Sequence, residues 1–168
     1  MMKHAVIFRL SQLIILFPCA LREWINFLTD IGQYERVTKL ALQIMSFPTQ
    51  HNASTLFNRS INSLLLAKFV ALLWIVIHFI TAALITYGLI ALLKTMNADS
   101  KTFNQKKLPC FLGLSFGIFS YLFLVGFVSM DYFLSWMQDI NFNADIVGYS
   151  LPLIGALLYL TVNESSME

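Results

Sequence analysis

The sequence predicts an all-α integral membrane protein, a four-transmembrane-helix bundle with a short amphipathic helix in its first outer loop. Three observations carry the prediction. Between Phe69 and Leu93 lie 25 residues without a formal charge; as a helix they extend roughly 37 Å, against roughly 30 Å of bilayer hydrocarbon. The chain is 58% hydrophobic and 12% charged, with a mean hydropathy of +0.71, far from the balance of a soluble domain. Lys and Arg are also shared unequally between two short loops, as the positive-inside rule expects of a multi-pass protein. A chain of 168 residues has too little material to bury so long an all-round apolar helix away from water. Residues 1–168 therefore read as one membrane domain, with helices at about 4–28, 62–93, 109–136 and 146–162.

The first helix has the weakest pattern. Lys3 and Arg9 precede an apolar run from Leu10 to Leu21, which resembles a signal peptide. A cut after Ala20 would place Pro18 where a small residue is required, and Phe17 and Pro18 also rule out a lipoprotein signal at Cys19. A retained helix from His4 to Leu28 is the better reading. Arg9 snorkels to one face of the membrane, and Arg22, Glu23 and Trp24 flank the other. Pro18 removes the hydrogen bond to the carbonyl of Ile14 and predicts a kink.

Thr29 to Ser60 is the one long polar segment. Thr29 and Asp30 offer a helix cap, and Val37, Leu40, Ala41, Ile44 and Met45 recur at helical spacing. Glu35, Arg36 and Lys39 lie off that stripe, so this helix should rest on the membrane surface or cover the bundle, ending before Pro48. Residues 95–108 read as a polar loop and 139–145 as a turn-rich break. The loop between the second and third helices carries Lys94, Lys101, Lys106 and Lys107; the next has Asp131, Asp139 and Asp145 and no base. The Lys loop is assigned to the cytoplasm, and four spans put both termini there. Arg22, Arg36, Lys39 and Arg59 run against this in the first loop. The two shorter loops decide the orientation.

His78 is the ionisable residue within the long apolar run, where such groups are costly and suggest function. Its roles could be proton relay, haem ligand or polar anchor for a ligand. The plainer role, which the sequence favours, is a neutral imidazole bonded to a polar group on a neighbouring helix. Haem is disfavoured because His4 and His51 lie at a terminus and in a loop. Gly113 and Gly117 form a small-xxx-small pair, and Gly148 and Gly155 a similar stripe on the last helix; both patterns let helices approach closely. Tyr132 and Trp136 fit an interfacial aromatic belt. Asp131 at that interface needs a cation, Arg59 or Lys68. Arg59 is expected to pair with Asp131 or Asp30, clamping the first loop onto helices two and three. Cys19 and Cys110 are packing residues, expected near opposite faces of the membrane and out of disulfide reach. Nothing in the sequence pairs a nucleophile with a base, spaces Cys and His for a metal, or cradles a phosphate. The net charge of +2 is too small and scattered for a nucleic-acid partner.

Several fragments, in order and spacing, resemble the bacterial family of predicted small integral membrane proteins, domain of unknown function 2165. They are Asn26-Phe27-Leu28-Thr29-Asp30, Arg59-Ser60-Ile61, Gly88, Phe103-Asn104-Gln105-Lys106-Lys107, Gly113 with Gly117, Gly126-Phe127, and Asp131 through Trp136. The resemblance covers nearly the whole chain. It implies four helices in a bacterial inner membrane and brings no known activity. The family typically has a Glu in its second helix where this chain has His78. Its outer Glu-Trp-Phe-x-Met-Trp-Gln-Ser run corresponds here to Asp131 and Tyr132, then Ser135, Trp136, Met137 and Gln138.

Together these readings give a non-enzymatic inner-membrane protein, without a cofactor, that binds a partner protein or lipid. Its partners are the lipid bilayer and either another membrane protein or a second copy, not nucleic acid. The alternatives are a small transporter or proton-coupled accessory subunit using His78, and a cytochrome-like anchor subunit.

Overall fold

The structure is a computed structural model that describes residues 2–46, 60–132 and 143–162, with side chains for 5–46, 60–129 and 147–162. Its elements are α1 (Met2–Gly32), α2 (Tyr34–Ser46), α3 (Leu64–Lys94), α4 (Ser100–Gln105), α5 (Leu108–Ser120), a π-helix (Tyr121–Tyr132) and α6 (Asn143–Thr161). Among the described residues every element is helical. Three stretches are long and apolar enough to cross a membrane, Ala5–Gly32, Leu64–Lys94 and Ser100–Ser129; the apolar part of α6, Val147–Thr161, is shorter.

Three expectations are corrected here. α1 does not stop at Leu28 but runs to Gly32, through Pro18. Asp30 therefore lies inside a helix rather than capping the next one. Residues 95–108 are not all loop: Asp99 caps α4 by accepting from the Thr102 amide at 3.0 Å and the Thr102 hydroxyl at 2.6 Å. The Thr102 hydroxyl, ahead of its amide, holds the Asp99 carboxyl below its ordinary value. The third helix, finally, changes form at Tyr121, from an α-helix to the wider i→i+5 hydrogen-bonding pattern.

α1 packs on α3 and α6, α3 on α1, α2 and α5, and α5 on α6. α3 is apolar around its circumference, so polarity alone does not mark its inner face, as expected where lipid is as apolar as leucine. Its inner face carries Ala67, Ala71, Ile75, His78, Ala82 and Ile85, at spacings of three or four; Leu65, Phe69 and Leu72 point outward. α2 buries Thr38, Ala41, Ile44 and Met45. Ala41, Ile44 and Met45 cluster with Ala67 of α3, and Tyr34 donates to the Lys68 carbonyl at 3.0 Å.

The helix ends at the Lys-rich side are closed by cations. Arg9 of α1 donates to the carbonyls of Met96 and Ala98, both at 2.7 Å, just beyond the end of α3. Lys107 donates to the carbonyls of Leu160 and Val162 at the end of α6, both at 3.2 Å. A positive charge at a helix C-terminus satisfies orphan carbonyls and opposes the negative end of the helix dipole. Phe103, fully buried, lies beneath both cations, 4.6 Å from the Arg9 guanidinium and 5.7 Å from the Lys107 ammonium.

The glycines divide sharply. A Cβ at Gly113 would sit 2.8 Å from Ile85 Cγ1 and 3.0 Å from the Ile85 backbone nitrogen; one at Gly117 would sit 3.0 Å from Thr81 Cγ2 and 3.1 Å from Leu153 Cδ1. Gly88, on the facing helix, approaches closest: its Cβ would land on the Cys110 sulfur and 2.8 Å from the Cys110 backbone nitrogen. Gly148 and Gly155 correct the expectation of close packing on α6, since among the described residues a Cβ at either meets nothing within 4 Å.

Gly88→Ala and Gly113→Ala should therefore each cost about 1–3 kcal/mol, the usual penalty of overpacking. Gly155→Ala should be neutral or stabilising by up to about 1 kcal/mol through helix propensity. Thermal unfolding in detergent measures all three; equal effects would remove the distinction between the two glycine pairs.

Candidate functional site

The site begins with a stripe along α1. Arg9, Gln12, Leu16, Cys19, Glu23, Asn26 and Asp30 follow one another at alternating steps of three and four. That spacing keeps them on one face of the helix, and the first five are buried. Gln12 turns toward the end of α6, 3.4 Å from the carbonyls of Tyr159 and Val162, and neighbouring Ser11 meets the Tyr159 hydroxyl at 2.7 Å. Glu23, Asn26 and Asp30 turn toward the middle of α3.

There they meet His78, one residue from the centre of its helix and 2% exposed. Nδ1 lies 2.8 Å from Glu23 Oε2; Nε2 lies 3.5 Å from Asp30 Oδ2. An ionised carboxylate only accepts, so opposite an ionised Glu23 the short contact is an Nδ1–H donated to Oε2. The other Glu23 oxygen, Oε1, is buried and has no hydrogen-bond partner among the described residues. The two carboxylates address opposite nitrogens of the ring rather than converging on one point. Among the described residues no group of His, Cys, Asp and Glu side chains is arranged to hold a metal ion.

Aromatic rings enclose the cluster. Trp74 meets His78 and Tyr121 edge-on, at 4.9 and 5.3 Å between centroids. The Tyr121 hydroxyl is 3.4 Å from His78 Nδ1 and accepts from Asn26 at 3.4 Å. Tyr149 of α6 stacks on Tyr121 at 5.0 Å. The Arg22 guanidinium lies 4.0 Å over the Tyr149 ring and donates to the Tyr149 carbonyl at 3.5 Å. Trp24 donates to the Thr86 hydroxyl at 3.0 Å. Arg22, Glu23 and Trp24 all bond to α3 or α6; Glu23 is buried, and Arg22 and Trp24 are half-buried.

A half-open cavity of about 400 Å³ adjoins the cluster, lined by the end of α1, by α2, α3, the π-helix and Tyr149 of α6. Asn26, Asp30, His78 and Tyr121 give it polar groups, whereas α2 contributes apolar side chains such as Ile44 and Met45. Tyr121, Val125 and Ser129 of the π-helix also line it, and Ser129 donates to the carbonyl of Leu124, five residues back, at 2.9 Å.

Of the residues singled out in the sequence, His78 and Asp30 meet in this site. Arg59 and Trp136 lie outside the described residues. Asp131 falls within the π-helix, but its side chain lies outside them, so the expected clamp cannot be assembled from the described residues. Sequence reasoning missed Glu23, which it treated as a flanking charge. The available signal was the spacing of Glu23, Asn26 and Asp30, three polar residues on one helical face.

Comparison with curated proteins gives no match, and neither does comparison with solved structures. A family model does match, over residues 8–163. The apolar spans and the near-complete coverage agree: the chain belongs to the family of predicted small integral membrane proteins (DUF2165).

Proposed function

We propose that this is a four-span protein of a bacterial inner membrane that acts without catalysis, by binding a lipid-like amphiphile between α1, α2, α3 and the π-helix. The observation that carries the reading is the cavity of about 400 Å³, apolar along α2 and polar at Asp30 and His78. Its size falls within the roughly 300–1,000 Å³ of small-molecule sites. A buried polar cluster beside an apolar chamber suits a ligand that has both characters.

The four-span topology is supported by the pairing of helix ends. The start of α1 meets the ends of α3 and α6 through Arg9 and Ser11, and the start of α5 meets the end of α6 through Lys107. Successive long helices therefore reverse direction. α6, with 19 residues, is roughly 28 Å long, close to the hydrocarbon thickness.

A second reading, a proton-coupled accessory or transport role, is favoured by one specific observation. His78 has a carboxylate at each ring nitrogen, so a proton entering at Glu23 can leave toward Asp30 and the cavity.

Three outcomes follow. With both termini cytoplasmic, alkaline phosphatase fused after Val162 should be inactive and the same enzyme inserted within residues 139–145 active; the reverse pattern sinks the topology. Val70 lines the cavity, so Val70→Trp should remove a stoichiometric amphiphile that native mass spectrometry detects on the wild type. Finding a stoichiometric protein there instead would shift the reading to partner binding. For the relay, Glu23→Gln should abolish proton flux into proteoliposomes; unchanged flux, or none in the wild type, removes that role.

A further inference from the structure

The cavity can be read for the chemistry of its occupant, an inference that rests on the amphiphile-binding reading above. Glu23 and His78 are joined by a hydrogen bond of 2.8 Å. Asp30 is differently placed. Its contact with His78 Nε2 is 3.5 Å, well beyond the roughly 2.7–2.9 Å of a charge-assisted hydrogen bond. Among the described residues its carboxylate makes no hydrogen bond, and it borders the cavity. It is a strong acceptor facing an open chamber.

The remaining groups around it narrow the ligand's charge. From α1 the site faces Glu23 and Asp30, from α3 His78, from the π-helix Tyr121, and from α6 Tyr149. Arg22 is spent on the ring and carbonyl of Tyr149, and among the described residues no Lys or Arg side chain is part of the cavity wall. The α2 wall, from Val37 to Met45, adds no titratable side chain. An anionic head group would thus meet the Asp30 carboxylate in the cavity wall, with Glu23 buried behind the imidazole. A cation would meet the Asp30 carboxylate directly, with Trp74, Tyr121 and Tyr149 bordering the same space, and aromatic faces attract cations. The volume suits one hydrocarbon chain rather than the two of a phospholipid.

We propose that the cavity binds a single-chain amphiphile bearing a protonated amine, its nitrogen donating to Asp30 and its chain lying between α2, α3 and the π-helix. Asp30 is then the specificity-determining residue, and the Glu23–His78 pair positions it.

The test is calorimetric titration of the protein in nanodiscs with decylammonium, decanol and decanoate, empty nanodiscs correcting for partition into lipid. Decylammonium should bind saturably, one per chain, and about tenfold or more tighter than decanol, with decanoate weakest. Asp30→Asn should bring decylammonium down to the level of decanol, Asp30→Glu should keep the preference, and Val70→Trp should abolish binding of both. If the three head groups bind the wild type alike, or Asp30→Asn retains the preference, the amine assignment is overturned while the cavity reading stands. If none binds saturably, or Val70→Trp binds like the wild type, the cavity reading falls as well. Should Asp30→Asn fail to fold, the head-group series on the wild type still decides.

Discussion

Inside a bilayer a polar side chain has no water to fall back on, and the structure follows from how α1 meets that constraint. The helix puts its polar residues on one face, where each must find a partner within the protein. Glu23 is fully buried and meets His78; Arg9 takes the last carbonyls beyond α3; Gln12 reaches the end of α6. These contacts fix α1 in rotation and in height against two other helices at once. Apolar packing alone would not, because α3 is nearly uniform around its circumference and lipid competes equally for every face. The Glu23–His78 contact is the one that sets the register, since shifting α1 by a single residue would strand a carboxyl group in hydrocarbon.

The membrane class was legible because an uncharged run as long as Phe69–Leu93 has no other physical outcome. Much of the rest was not, for identifiable reasons. Glu23 lies beside Arg22 and Trp24, and a charge at the end of an apolar run reads equally well as a flank or as an interior group until its partner is known. The partner, His78, lies 55 residues away. The π-helix is a change of hydrogen-bond register along the backbone, and Tyr121 to Tyr132 is nearly as apolar as α5. Gly113 and Gly155 carry the same small-residue signature. That signature says a backbone can be approached, not that another helix is there to approach it.

The Lys-rich end shows a second layer of meaning in one set of charges. Lys94, Lys101, Lys106 and Lys107 were read from the sequence as a topological signal. Lys107, however, is 2% exposed and bonded to the end of α6, and Arg9 closes the turn after α3 in the same way. Cations that favour the cytoplasmic side by loop charge can also neutralise the C-terminal ends of the helices that finish there. Phe103 beneath both of them excludes water and keeps those contacts in a medium of low dielectric, where each is stronger.

The buried cluster itself argues for a role beyond holding the fold. Taking ionisable groups out of water costs several kcal/mol apiece, and a hydrophobic replacement of similar volume is often as stable or more so. A cluster kept only for stability would be expected to satisfy all its atoms. Among the described residues Glu23 Oε1 has no partner, Asp30 stands 3.5 Å off its nearest ring nitrogen, and a cavity opens beside them. The family resemblance points the same way in chemistry if not in residue type, since the Glu expected at position 78 is also titratable. What imidazole adds over a carboxyl is two-sidedness: one face is held by Glu23 while the other stays turned toward Asp30 and the chamber. The polar arrangement is therefore incomplete on the cavity side, and a ligand or a proton is what would complete it.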